Sequence, residues 1–269
     1  MVIKDQKNEI AKKTMELRNY KIVKANDLVQ KSRFFLKVQE QKIILYLISK
    51  IKPEDMDLKE HTFEIRDFCI ICGLNIDSGK NYNNIKKALK DLRDKSIWIT
   101  LDNGAETTLS WIDYVTIEKN KGTVIIKISD RMKPYLLQLK EHYTQYELLY
   151  ILAMKSQYSL RLYELLKSYE YQHKKIFGIS ELKKLLSAEH YTLFADFKRK
   201  VLDIAMREIN NLSDINVTYV IIKKSQKFDK IEFLIDLKKD ITERVATLIR
   251  IEEVINTNQI SLFDGEEKQ

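Results

Sequence analysis

Two stretches of this 269-residue chain each read helix, helix, helix, hairpin, and both carry a basic excess. Together these observations predict an α+β protein of two tandem winged-helix domains related by internal duplication. The duplication is visible residue by residue. F-x-I-x-x-F from Phe63 to Phe68 recurs as F-x-I-x-x-L from Phe177 to Leu182, and Ala88…Leu92 recurs as Ala205…Ile209. The first pair lies 114 residues apart and the second 117, so one loop differs by three residues. The charge is uneven. The whole chain is +8, but from Asp240 onward three basic residues meet seven acidic ones, which leaves residues 1–239 at +12. A basic body points to a polyanionic partner, foremost nucleic acid.

Taken in chain order, residues 1–20 are polar and predict a mobile arm. Residues 21–130 form the first unit. Phe34, Phe35, Val38, Ile43, Ile44, Leu47, Ile48 and Ile51 recur at helical spacing and stop before Pro53. Phe63–Leu74 predicts a second helix closed by Gly73, and Asn81–Lys95 a third. β-rich runs follow at Ile97–Leu101, Trp111–Ile117 and Thr123–Ile128, the last two joined by the loop Glu118–Gly122. Residues 131–155 read as a helical connector after Pro134. Residues 156–238 repeat the pattern: helices at Tyr158–Tyr171, Phe177–Ser187 and Tyr191–Leu212, then strands at Val217–Ile222 and Ile231–Leu237. Residues 239–269 are an acidic helix and tail, opened by the Asp240-Ile-Thr-Glu243 capping box.

Composition excludes several classes. Six Gly and two Pro are too few for collagen-like or Pro-rich disordered chains. No apolar run spans a membrane, and the first ten residues lack a signal-peptide core, so the expected location is cytoplasmic. Cys69 and Cys72 stand alone with only His61 near, which predicts a reduced, half-buried pair and no metal site. Gly73–Asn81 misses the phosphate-loop spacing. His61, His142, His173 and His190 are scattered, no G-x-S-x-G occurs, and the acidic pairs sit among lysines as ion-pair faces. The chain is therefore read as no enzyme, with no cofactor.

On a helical wheel the third helix of the second unit turns Phe194, Phe197, Val201, Ile204, Ala205 and Ile209 inward. Its outer face carries Asp196, Arg199, Lys200, Asp203 and Arg207, with Lys198 at the apolar edge as a phosphate contact. Arg199 and Lys200 suit guanine O6/N7, and Asp196 or Asp203 suits cytosine N4. In the first unit Ile85, Ala88, Leu89 and Leu92 face inward, while Asn83, Lys87, Lys90 and Asp94 face out, flanked by Asn84 and Lys86. Asparagine is the natural bidentate reader of adenine. The hairpin tips carry Lys119 and Lys121 in one unit and Lys223, Lys224 and Lys227 in the other, suited to phosphates. Each helix face alone is equally an ordinary solvated side, and each tip lysine an ordinary solubilising one. Their occurrence twice in a +12 body favours duplex DNA.

Ser156–Tyr169, with Lys24-Ala-Asn-Asp-Leu28, Ala88–Ser96 and Phe197-Lys-Arg-Lys-Val-Leu202, resembles the replication-initiator Rep proteins of iteron-type, theta-replicating plasmids. The resemblance covers roughly residues 21–238. It implies two winged-helix domains binding tandem origin repeats (iterons), help in opening an adjacent A·T-rich segment, and recruitment of the host helicase and host initiator. It further implies a monomer–dimer equilibrium and repression of the protein's own gene. By the same resemblance the helix carrying Lys198, Arg199 and Lys200 is the main base-reading helix, and Asn81–Lys95 the second contact. Gln259-Ile-Ser-Leu262-Phe263 resembles the peptide by which bacterial replication proteins dock on the sliding clamp; its bland alternative is a tail packed on the body. The competing reading of the whole chain is a winged-helix transcriptional regulator without a role in replication.

Overall fold

The computed structural model describes residues 16, 18–52, 54–72, 74, 79–118 and 122–260, with backbone alone at 79–81 and 257–260. The first unit opens on β1 (Lys21–Ala25), α1 (Asn26–Gln30), the short β2 (Ser32–Arg33) and α2 (Val38–Ile48). It continues through β3 (Glu60–Glu64), α3 (Ile65–Ile71) and α4 (Gly79–Asp94), then β4 (Ser96–Thr100), β5 (Glu106–Ser110), β6 (Ile112–Ile117) and β7 (Thr123–Ile128). α5 (Lys133–Leu136), β8 (Tyr143–Glu147) and α6 (Leu148–Leu152) lead to α7 (Gln157–Lys167). The second unit adds β9 (Lys174–Gly178) and α8 (Ile179–Leu185). A long helix follows, made of α9 (Phe194–Phe197), a π-helical turn (Lys198–Leu202) and α10 (Asp203–Leu212). Strands β10 (Ile215–Lys224) and β11 (Lys227–Leu237) and the closing α11 (Ile241–Ile260) complete it.

The duplication holds at the level of strand order. The antiparallel sheets β3-β7-β6 and β9-β11-β10 have the same arrangement, with the strand that precedes the second helix against the last strand. Here the structure corrects the sequence reading twice in the same way. Phe63 and Phe177 belong to strands β3 and β9, and the helices start at Ile65 and Ile179. Each F-x-I-x-x-F/L motif straddles a strand-to-helix junction. Phe63, Ile65 and Phe68 are buried in one unit and Phe177, Ile179 and Leu182 in the other.

The helical connector at 131–155 is also corrected. After one short helix at Pro134 the chain forms β8, which pairs antiparallel with β1 from Lys21↔Glu147 to Ala25↔Tyr143. Buried Thr144 and Tyr146 alternate with exposed Tyr143 and Gln145, the period-2 pattern of a half-covered strand. This segment therefore belongs to the first unit. That unit also has an additional hairpin, β4–β5, edged by β2. The mobile-arm reading of residues 1–20 does not hold for Arg18. It is buried, donates to the carbonyls of Ile70 and Ile71, and pairs with Glu252 of α11 at 3.1 Å. α11 is the helix expected after the capping box, whose Asp240 Oδ1 accepts from the Glu243 N–H at 2.9 Å. It buries Ile251 and Ile255 against the body. Cys69 and Cys72 are free and fully buried, more than the half-burial expected, and burial pushes their thiols up to about 11 and about 12.

α7 joins the units. Arg161 on this helix is buried and donates through Nη2 to the carbonyls of Val29 and Ser32, both at 2.8 Å, and through Nε to that of Leu185 at 3.3 Å. One guanidinium thus ties the first unit to α8 of the second, with its charge 4.8 Å from the Phe34 ring. One turn on, buried Glu164 accepts from Lys24 of β1 and from the Tyr146 hydroxyl of β8. Burial holds Lys24 below the ordinary lysine value, against the pull of Glu164.

Removing one partner of such a pair strands the other charge in the core. Glu164→Ala should cost about 3–5 kcal/mol in urea unfolding, and Lys24→Met/Glu164→Leu should recover most of the loss. A loss below about 1 kcal/mol would mean that water reaches Lys24.

Candidate nucleic-acid interface

The two long helices that follow the paired motifs are amphipathic. α4 buries Ile85, Ala88, Leu89 and Leu92, the face expected from the sequence. Asn83, Lys86, Lys87 and Lys90 are exposed and Asn84 half-buried, so all five candidate residues lie on one accessible side of α4. Arg93 is exposed on the same helix and adds a cation that the wheel did not single out. Its signal was present, three residues beyond Lys90 and one turn further along the face.

The helix of the second unit is not uniformly α-helical. Residues five apart lie about 140° apart on an α-helix. The π turn at Lys198–Leu202 is wider and returns them to one side. Lys198 Nζ therefore reaches both carboxylate oxygens of Asp203, at 2.8 and 2.9 Å. The same turn changes what is buried. Val201 and Leu202 are both inside, and Met206 replaces Ile204, which the 100° wheel placed inward and which is half-buried. Phe194 is half-buried as well, while Phe197, Ala205 and Ile209 are buried as expected.

The outer face keeps the expected residues but connects them. Arg199 Nη2 donates to Asp196 at 3.0 Å and Lys200 lies 3.4 Å from the same carboxylate. The hydrogen bond from Arg199 holds the Asp196 carboxyl below its ordinary value, aided by Lys200. The bond to Asp203 raises Lys198. Neither aspartate stands free for a cytosine N4, because each already faces a cation. Arg207 is exposed one turn further along.

The wing is longer than the sequence suggested. The basic stretch Lys223–Lys230, read as a loop, is almost all strand. β10 and β11 extend to Lys224 and from Lys227, around a two-residue turn at Ser225-Gln226 with Ser225 at φ +56° and a bulge after Ile222. Lysine-rich strand ends hide the alternation, and a tight hairpin needs little more than a residue that accepts positive φ. Lys223, Lys224 and Lys227 are exposed on this tip. The wing of the first unit carries Lys119 and Lys121, which lie outside the described residues, as do Leu262 and Phe263 and the side chain of Gln259.

Two aromatic residues absent from the sequence reading join this wing to the helix. Phe228 of β11 stacks on Phe194 with centroids 4.3 Å apart, and Lys223 lies 5.1 Å from the Phe228 ring. The Tyr219 hydroxyl of β10 donates to Asp203 at 3.0 Å. Alternating aromatics in V-T-Y-V and K-F-D-K were the available signal, but which helix they meet depends on the fold.

Chemically, the surface offers guanidinium, ammonium and amide donors on two helices, with further ammonium groups on the described wing. Among the described residues no group of three or more His, Cys, Asp or Glu is placed to hold a metal ion, and no helix is long and apolar enough to cross a membrane.

Known proteins fall into line with this arrangement. A family model described as "Initiator Replication protein, WH1" matches residues 21–167, and one described as "Initiator Rep protein, WH2" matches 178–235. The chain is 29% identical over 230 residues to a replication initiation protein of Escherichia coli, covering 82% of this chain and 71% of that protein. It is also 29% identical over 147 residues to the PI protein of Escherichia coli, covering 48% of each. Its fold resembles that of the Pi initiator protein solved in complex with iteron DNA, at TM-score 0.65 and 22% identity, over 83% of this chain and 99% of that one. The first model reaches through α7, which agrees with β8 pairing back onto β1 and with α7 packing against both. The winged-helix duplication is thus that of a known group, and the chain belongs to the initiator replication protein family.

Proposed function

We propose that this chain initiates plasmid replication by binding repeated origin DNA (iterons) sequence-specifically, with both winged helices engaging one repeat. The observation that carries this reading is the pair of basic helix faces on duplicated units, in a family of initiators whose structural relative was solved with iteron DNA. Helices α4 and α9–α10 enter successive major grooves about one helical turn apart, and the wing lysines meet phosphates beside them. The bend that this imposes weakens a neighbouring A·T-rich duplex. The protein acts by binding, without catalysis or cofactor, in the cytoplasm. It shifts between monomer and dimer, represses its own gene, and hands the opened origin to the host initiator, helicase and sliding clamp.

Footprinting on the DNA beside its own gene should protect regularly spaced direct repeats. Protection of a lone palindrome would instead mark a transcriptional regulator. Within the repeat, Arg199→Ala should cost about 1–3 kcal/mol and relax discrimination at one base pair. An equal loss on random duplex would make Arg199 a phosphate contact only.

Gln259, Leu262 and Phe263 have the chemistry of a short clamp-docking peptide, with two apolar anchors and one amide at the rim. Leu262→Ala/Phe263→Ala should abolish pull-down by the sliding clamp and leave DNA affinity unchanged. Clamp capture by the double variant would remove this role.

A further inference from the structure

All three cations at the start of the helix α9–α10 face are held by carboxylates of the same helix. Asp196 holds Arg199 and Lys200, and Asp203 holds Lys198. The second pair exists only because the π turn places residues five apart on one side, and Tyr219 of the wing fixes its carboxylate. None of these groups is buried. Side-chain exposure runs from 34% at Asp196 to 73% at Arg199, so DNA meets the ion pairs and not bare cations.

On random duplex a phosphate must take a cation away from its carboxylate, and that carboxylate is then left facing a polyanion. On a matched site the outcome differs. The cation finds a guanine edge or phosphate, and the freed carboxylate finds an amino donor such as cytosine N4. A repulsive element that only the right partner can satisfy lowers wrong binding more than right binding. Resting on the reading of this face as a DNA reader, we infer that Asp196 and Asp203 determine specificity by keeping Arg199, Lys200 and Lys198 from random phosphate.

The test measures anisotropy-based Kd values for a repeat duplex and a random duplex across a NaCl series. Asp196→Asn is the primary variant, because Asp196 makes no bond to the wing; Asp203→Asn is the second. Each should tighten random-duplex binding by about 5–10-fold at low salt and steepen its log K against log salt slope by up to ~0.9 per freed cation. Repeat binding should gain less, so the specificity ratio falls. Removing any negative charge near DNA would tighten binding somewhat, and a double-mutant cycle separates that effect. In an Arg199→Gln/Lys200→Gln background the gain from Asp196→Asn should shrink below about twofold if it acts through those cations.

A gain that persists in that background, or an unchanged specificity ratio in both Asn variants of a repeat-binding protein, overturns this inference alone. Equal wild-type binding to repeat and random duplex overturns the reading of function and this inference with it.

Discussion

The two units are held in register chiefly by the polar groups of α7. A helix that is buried on nearly every side is ordinarily all apolar, yet this one carries Arg161 and Glu164 at its centre. They are tolerated because most of their polar atoms are paired: the guanidinium through Nε and Nη2 to carbonyls of both units, the carboxylate with Lys24 and Tyr146, while Arg161 Nη1 is buried without a hydrogen-bond partner among the described residues. An apolar interface would permit small sliding, whereas donors aimed at fixed carbonyls specify one alignment. Further bonds across the same seam agree with it. The Ser187 hydroxyl donates to the Phe34 carbonyl at 2.9 Å, and the backbone N–H groups of Lys155 and Ser156 both reach the Glu208 carboxylate. Glu208 lies on α10, so the long helix of the second unit is attached to the start of α7.

That alignment has a functional consequence. Two reading helices on one duplex gain affinity over one only when their separation matches the helical repeat, and a loose joint would forfeit the gain. The β1–β8 ribbon and the cross-unit bonds of α7 remove much of that freedom. α11 adds a strap, since it buries Ile251 and Ile255 while Glu252 pairs with Arg18, itself bonded to the end of α3. The acidic segment of the chain thus begins as a packed helix.

The reading surface follows a different rule. Where the joint is buried and hydrogen-bonded, the outer face of α9–α10 is exposed and ion-paired, with Lys198, Arg199 and Lys200 each resting on a carboxylate of the same helix. Exposed pairs of this kind contribute little to stability. The π turn is the local irregularity that makes the Lys198–Asp203 pair geometrically available.

The sequence alone determined the repeat, the class of fold, the face of α4 and most of that of α9–α10. Those rest on periodicity and charge, which neighbouring residues set among themselves: Ile85, Ala88, Leu89 and Leu92 could hardly face outward in any helix. Strands were harder, because F-x-I obeys period 2 while I-x-x-F obeys the helical period, so Phe63 and Phe177 look helical until β7 and β11 pair with their backbones. Strand β8 and the wing tips were hidden for a related reason: a polar strand is recognised by its partner's hydrogen bonds, and here β1 lies more than a hundred residues away. Only the tertiary structure decided that Arg161 links the units and that Phe228 meets Phe194. It also decided that Asp203 rests on Lys198. Each of these depends on where a distant segment, or one extra residue in a helical turn, puts a charge or a ring in space.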